Sequence, residues 1–289
     1  MAPADTGNEI TVGGKNMRYK ELDYDNYVEI ADGIYWVGFA DEHAGFHCNP
    51  YLIVDDGEAV LIDSGSRHDF GTVMLKIMRT GTDPRNIKRL IYQHYDPDLC
   101  GNLPHMESLI NSNELKVLSH QENNIFINHF SAKTEKECIE ELGFSYSFTS
   151  GRKLMFMRTP YSHSAGSFVT YDIKTKVLFS SDLFGSYDSY WELYSSILDE
   201  CDGCSPKNDC PLTEKPCEIT GILDFHRSVM TSTKALRLSL AQISELDISI
   251  IAPQHGSLLH TPMIQKIVKE RLCALDGVGI DRFLGESCK

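Results

Sequence analysis

From Tyr27 onward the chain alternates short apolar runs with tight polar turns. Residues 28–30 and 34–37 flank Asp32-Gly33, and residues 50–54 and 59–62 flank Asp55-Asp56-Gly57. Apolar, β-branched runs on either side of an Asp-Gly turn are hairpin signatures. The run at 70–78 predicts a helix, and Asp83-Pro84 interrupts the chain before the apolar triplet Leu90-Ile91-Tyr92. Residues 104–110 then read as helix and 115–119 as strand. In 121–130 and 133–142 apolar residues return every three or four positions, which predicts two further helices. Strands are expected at 153–157, 167–171 and 177–180, the last two joined by a short turn. Leu236, Leu240 and Ile243 mark one face of a helix that Ser232 or Thr233 can cap. A final buried strand at 248–252 stops at Pro253. Strands first, then helices and strands mixed, predict a layered α/β body with helices outside two sheets. The expected division is a lead-in over 1–26 and one domain over 27–289, with a Cys-rich insertion at about 195–220.

Composition narrows the function classes. With 27 basic and 41 acidic residues in 289, the net charge is −14. Nucleic acid and anionic membrane surfaces both require a basic patch, so neither is an expected partner. The polar N-terminus has no run of signal-peptide length, and no stretch of about eighteen apolar residues occurs. The expected compartment is therefore the cytoplasm, where structural disulfides are uncommon. Of nine cysteines, Cys48, Cys100, Cys138, Cys273 and Cys288 are scattered and read as small buried side chains or inert thiols. The other four are clustered.

The candidate chemistry lies at strand ends. Gln93-His94-Tyr95-Asp96-Pro97-Asp98-Leu99-Cys100-Gly101 follows the apolar triplet. Strict strand alternation would aim His94, Asp96 and Asp98 to one side. One imidazole and two carboxylates converging there make a mixed N/O metal site suited to iron, zinc or manganese. Three more potential ligands are placed in the same way. His163 lies in Ser162-His163-Ser164-Ala165-Gly166-Ser167 between two strands, Asp182 directly follows an apolar strand, and His255-Gly256 follows the last one. Strand ends are where α/β proteins commonly build their sites.

Taken together, Leu-Ile-Asp-Ser-Gly at 61–65, His-x-Asp-x-Asp at 94–98, His163, Asp182 and His255-Gly256 resemble the metallo-β-lactamase fold, an αββα sandwich. The resemblance spans about residues 27–260. Hydrolases of that superfamily carry His-x-His-x-Asp-His, whereas a carboxylate at the second ligand position, here Asp96, resembles the diiron branch of the flavodiiron proteins. The resemblance implies two iron ions: His94, Asp96 and His163 on one, Asp98 and His255 on the other, and Asp182 bridging. Asp63 would support the ligand loop by hydrogen bonding instead of binding metal. Two departures stand out. Asp96 is one methylene shorter than the family Glu, and Leu99 occupies the place of the family's second His. Leu cannot ligate, so the second metal is left short of a donor unless His47, Tyr95 or His105 reaches in.

Flavodiiron reductases continue into a flavodoxin-like domain, whereas this chain ends at Lys289, so no built-in flavin is expected. That combination resembles the stand-alone oxygen-binding diiron proteins that report oxygen to chemotaxis receptors, as do residues 45–51 and Phe225-His226-Arg227. His226 and Arg227 also read plainly as a helix-start histidine and a surface charge. Cys201, Cys204, Cys210 and Cys217, four thiols within 17 residues, form either a zinc or iron–sulfur site or a redox-labile loop with one or two disulfides. The leading expectation is a dioxygen-binding sensor that signals to a receptor. The alternatives are an oxidoreductase acting on dioxygen or nitric oxide and fed by a separate flavodoxin- or rubredoxin-type donor, a metal-dependent hydrolase, and an empty scaffold. A homodimer is implied only by the resemblance.

Overall fold

The structure is a computed structural model that describes residues 9–12, 15–18, 22–39, 48–131, 133–187, 191–205, 210 and 215–284. Within the lead-in, β1 (Glu9–Val12) and β2 (Lys15–Arg18) form an antiparallel hairpin. A seven-stranded sheet follows in the order β3 (Val28–Ala31), β4 (Ile34–Trp36), β5 (Tyr51–Asp55), β6 (Glu58–Ile62), β7 (Ile87–Ile91), β8 (Lys116–Ser119) and β9 (Glu135–Cys138). It is antiparallel as far as β6 and parallel from β6 to β9. The second sheet has five strands: β10 (Ser145–Ser147), β11 (Lys153–Arg158), β12 (Phe168–Asp172), β13 (Val177–Ser181) and β14 (Ile250–Pro253). Only its last pair, β13 with β14, is parallel. The helices are α1 (Phe70–Arg79), α2 (Pro97–Cys100), α3 (Leu103–Ile110), α4 (Gln121–Ile127), α5 (Glu218–Val229), α6 (Thr233–Gln242), α7 (Pro262–Cys273) and α8 (Asp281–Leu284).

Side-chain alternation sorts each strand between two cores. In β6, Val60 and Ile62 enter the core between the sheets, while Ala59 and Leu61 face the layer of α1 and α3. In β13, Val177 and Phe179 point inward and Leu178 points to the layer of α5, α6 and α7. Trp36, Tyr51, Phe156, Phe168 and Phe179 fill the inter-sheet core. The result is the expected αββα sandwich. Crossover helices are needed wherever parallel strands are neighbours: α1 links β6 to β7, and α5 with α6 links β13 to β14. Parallel strands in both sheets therefore end at one edge of the sandwich. No helix among the described residues is long and apolar enough to cross a membrane.

Two expectations change. Residues 133–142 are not a helix; they contain β9, which pairs in parallel with β8. Three of its four residues are charged, as suits an edge strand, and Glu137 reaches Arg89 at 3.1 Å and Lys116 at 2.7 Å. The open edge of β8 outweighed the helical spacing. His226 does not start a helix; it lies in the last turn of α5 and is fully buried, while Arg227 is exposed and pairs with Asp224 at 3.0 Å.

Phe179 is 0% exposed and packs against Tyr51 with ring centroids 5.2 Å apart. Truncating a buried Phe loses its transfer free energy and leaves a cavity. Phe179→Ala is expected to lower unfolding stability by about 3–5 kcal/mol, read from the midpoint of denaturant unfolding; a loss below about 1 kcal/mol would contradict this packing.

Candidate metal centre

The His94 motif is positioned by its neighbours in both sheets. β7 ends at Ile91, and the backbone N–H of Tyr92 still bonds to Leu118 O on β8. Gln93 is buried, and its Nε2 donates to the carbonyls of Phe179 at 2.8 Å and Phe168 at 3.2 Å, across the inter-sheet core. Asp63, just past β6, accepts the Gln93 backbone N–H at 3.4 Å. Strand alternation therefore does not aim the motif's acids. Asp96 has an extended backbone, φ −67° and ψ 152°, and starts the four-residue helix α2, with Pro97 in its first turn. Pro suits a helix start, where its missing N–H has no partner to lose. Once the chain turns helical, Asp98 and Leu99 leave on different faces. Asp98 faces the strand ends, while Leu99 is fully buried in the helix-side core.

Two groups of donors result, each with its atoms within 4.8 Å of one another: His94, Asp96 and His163, and Cys48, Asp98 and His255. In the first, His163 Nε2 lies 3.3 Å from Asp96 Oδ2, and His94 Nε2 lies 3.9 Å from the same oxygen. In the second, His255 Nε2 is 3.2 Å and Cys48 Sγ 3.6 Å from Asp98 Oδ2. Asp182 stands between them. Its Oδ2 is 3.1 Å from His163 Nε2, and its Oδ1 is 3.8 Å from His94 Nε2 and 3.6 Å from His255 Nε2. His94 Nε2 and Asp182 Oδ1 are buried without a hydrogen-bond partner. Such atoms are costly unless something satisfies them. Imidazole nitrogens and carboxylate oxygens aimed at shared points fit a pair of divalent ions with N and O preferences, iron among them.

The electrostatics fit the same reading. Burial would raise the Asp182 carboxyl, but the imidazoles of His94, His163 and His255 outweigh it and hold the group well below the usual carboxylate range. Burial would lower His163, yet its contacts with Asp182 and Asp96 hold it up at about 10. His255 is likewise held high against burial by Asp98 and Cys48. Burial pushes the Cys48 thiol up to about 11, with His255 opposing. Asp63 is raised by burial despite the Gln93 N–H.

Outer contacts fix these side chains. Ser181 Oγ lies 2.9 Å from His94 Nδ1, leaving Nε2 for the centre. Asn123 Nδ2 donates to Gly166 O at 2.8 Å, anchoring the His163 loop to α4. At Gly166 any Cβ would sit 2.3 Å from Asn123 Oδ1, so this close approach requires glycine. His226 Nε2 accepts the Phe184 N–H at 3.0 Å, and its Nδ1 donates to Ile222 O at 2.7 Å, which ties the segment after Asp182 to α5. Burial pushes His226 down to about 4, consistent with a neutral ring.

Of the substitutes considered for Leu99, Tyr95 stacks on Phe126 at 4.3 Å and His105 packs on Phe70 at 5.0 Å; His47 lies outside the described residues. The residue at that side of the centre is Cys48, which looked inert in the sequence. Cys201 is buried, Cys204, Cys210 and Cys217 are half-buried, and among the described residues no three of these thiols come within 4.8 Å of one another. Cys201, Cys210 and Cys217 line one cavity with Glu218, and residues 206–209 and 211–214 lie outside the described part.

Known proteins share this architecture. A chemotaxis sensor ODP, solved as a peroxy diiron species, superposes with TM-score 0.69 at 21% identity over 92% of this chain and 98% of its own. At that identity the likeness speaks to the fold alone. An uncharacterised protein of Methanocaldococcus jannaschii is 26% identical over 79% of this chain and 56% of its own length. An anaerobic nitric oxide reductase flavorubredoxin of Enterobacter is 26% identical over 59% of this chain and 37% of its own. The chain thus spans roughly a third to a half of the curated relatives it matches. The sequence profile described as ODP family beta lactamase matches residues 46–256, from just before Cys48 to just past His255, and the chain belongs to that family.

Proposed function

We propose that this protein holds two iron ions in the centre around Asp182, binds dioxygen there and passes the change to a signalling partner. The observation that carries the reading is the pair of three-residue donor groups flanking one buried carboxylate. Carboxylates and imidazoles outnumber the single thiol, which favours iron over zinc. The family match supports the sensor reading, and the fold shared with a chemotaxis sensor over 92% of this chain accords with it. When bound by these residues, a pair of ferrous ions would supply the electrons that dioxygen takes up.

The chain's own residues supply the rest. Asp182 offers one oxygen to each group, Ser181 holds the His94 ring at Nδ1, and Gln93 and Asp63 hold the motif against both sheets. His226 connects the segment after Asp182 to α5, whose Asp224 and Arg227 are exposed. A shift at Asp182 thereby has a packed route to the surface. The likeness to flavorubredoxins supports a second reading, a nitric oxide or oxygen reductase fed by a separate electron donor.

Anaerobic loading with Fe²⁺, followed by a measured pulse of oxygen, separates the readings. A long-lived coloured ferric species with about one dioxygen consumed per two irons is expected; the stoichiometry follows from one centre per chain. Continued oxygen consumption with an added reductant would favour the reductase, and no spectral change would overturn both. Ser181→Ala is expected to weaken metal binding about 10–100-fold by freeing the His94 ring, measured by chelator competition; unchanged affinity would contradict that role. The pH dependence has a fixed sign. His163 keeps its proton up to about 10 in the metal-free chain, and metal must displace it. Zn²⁺ affinity should therefore rise at least about tenfold per pH unit between pH 6 and 8. A flat profile would contradict the proton that Asp182 and Asp96 hold on His163 in the metal-free chain.

A further inference from the structure

We propose that Cys48 is a thiolate ligand of the second metal, completing with Asp98, His255 and Asp182 a site that mixes sulfur, nitrogen and oxygen. This rests on the two-metal reading and adds to it. The motif position where Leu99 stands supplies no donor, because Leu99 is packed at 0% exposure among Tyr92, Cys100 and Leu103 on the helix side of the sheet. Cys48 comes instead from the chain leading into β5.

Three observations converge on it. First, the donors have the right spacing. Ligands at about 2.0–2.3 Å around a tetrahedral ion stand about 3.3–3.8 Å apart. The structure gives 3.6 Å for Cys48 Sγ to Asp98 Oδ2, 3.2 Å for His255 Nε2 to Asp98 Oδ2 and 3.6 Å for His255 Nε2 to Asp182 Oδ1. Second, Asp182 is 2% exposed, and its Oδ1 has no hydrogen-bond partner. Oδ1 stands 3.6 Å from His255 Nε2 and 3.8 Å from His94 Nε2, so a cation held among these atoms would satisfy a lone pair that no hydrogen bond meets.

Third, Cys48 is held to the His255 loop by its neighbour. The Asn49 N–H donates to Gln254 O at 2.8 Å, and Asn49 Nδ2 donates to Pro253 O at 3.1 Å and Gly256 O at 2.8 Å. Trp36 Nε1 donates to Asn49 Oδ1 at 2.9 Å, and the Tyr51 hydroxyl donates to Pro253 O at 2.8 Å. Five bonds fix a thiol beside an imidazole from a distant part of the chain. Cys100 shows the contrast: it is fully buried in the helix-side core, and its thiol donates to the His94 carbonyl at 3.6 Å.

Binding forms one metal–sulfur bond and releases the thiol proton to solvent, with no change of oxidation state. The two sites are then chemically unequal. The first is nitrogen and oxygen throughout, and the second is softened by sulfur and so more receptive to zinc or ferrous iron than to manganese.

Anaerobic titration with Co²⁺ alone tests this. In the wild-type protein the second equivalent should bring a near-ultraviolet thiolate-to-cobalt band. Cys48→Ser should bind the first equivalent with the same visible spectrum, lose that band, and bind the second at least about tenfold more weakly. Cys48→His should recover the second equivalent without the band. Cys201→Ser should leave the band intact, because the clustered thiols are another source of one. Two cobalt ions bound without a sulfur band, or a band that survives when Cys48→Ser is combined with Ser at Cys201, Cys204, Cys210 and Cys217, would overturn the role of Cys48 while leaving the two-metal reading in place. Fewer than two ions in the wild-type protein would overturn both. If Cys48→Ser does not fold, X-ray absorption decides the matter on zinc-loaded protein with Cys201, Cys204, Cys210 and Cys217 changed to Ser. A sulfur neighbour at about 2.3 Å is expected, and its absence overturns the proposal.

Discussion

A carboxylate buried to 2% exposure cannot keep its charge without compensation, and the structure around Asp182 is arranged to supply it. Three imidazoles reach within 3.1–3.8 Å of its two oxygens. They come from the ends of β7 and β14 and from the loop between β11 and β12. No local segment could assemble them. They meet because parallel strands of both sheets end at one edge of the sandwich, and because Gln93 bonds across the inter-sheet core to the carbonyls of Phe168 and Phe179. The inter-sheet packing and the site are therefore one problem: loosening the aromatic core would move the strand ends that carry the donors.

The rings in and around the centre are held by what lies behind them. Ser181 faces His94 Nδ1, and the backbone around His226 fixes both of its nitrogens. These are the contacts by which metal sites orient their ligands. They also give the centre a physical path outward, from Asp182 through Phe184 and His226 to the exposed face of α5.

Much of this was legible in the sequence because strand ends are legible. Apolar runs stopped by polar residues located β5, β6, β7, β12, β13 and β14, and with them His94, His163, Asp182 and His255. What escaped was decided by distant contacts. β9 is a strand because β8 has an open edge, a fact absent from residues 133–142 themselves. The direction of Asp98 depends on α2, a four-residue helix too short to leave a periodic signal. Cys48 gave no local sign of chemistry, since its neighbours in the centre lie 50 and 207 positions away in the chain. Leu99 was the clue available beforehand: a motif that has lost one donor asks where another comes from.

The central claim is that two metal ions flank Asp182. Anomalous X-ray scattering from crystals grown with Fe²⁺ under anaerobic conditions, collected on both sides of the iron edge, tests it most directly. Two iron peaks are predicted per chain, one among His94, Asp96 and His163 and the other beside Asp98 and His255, with Asp182 between them. A single peak, or peaks that leave Asp182 unliganded, would contradict the account.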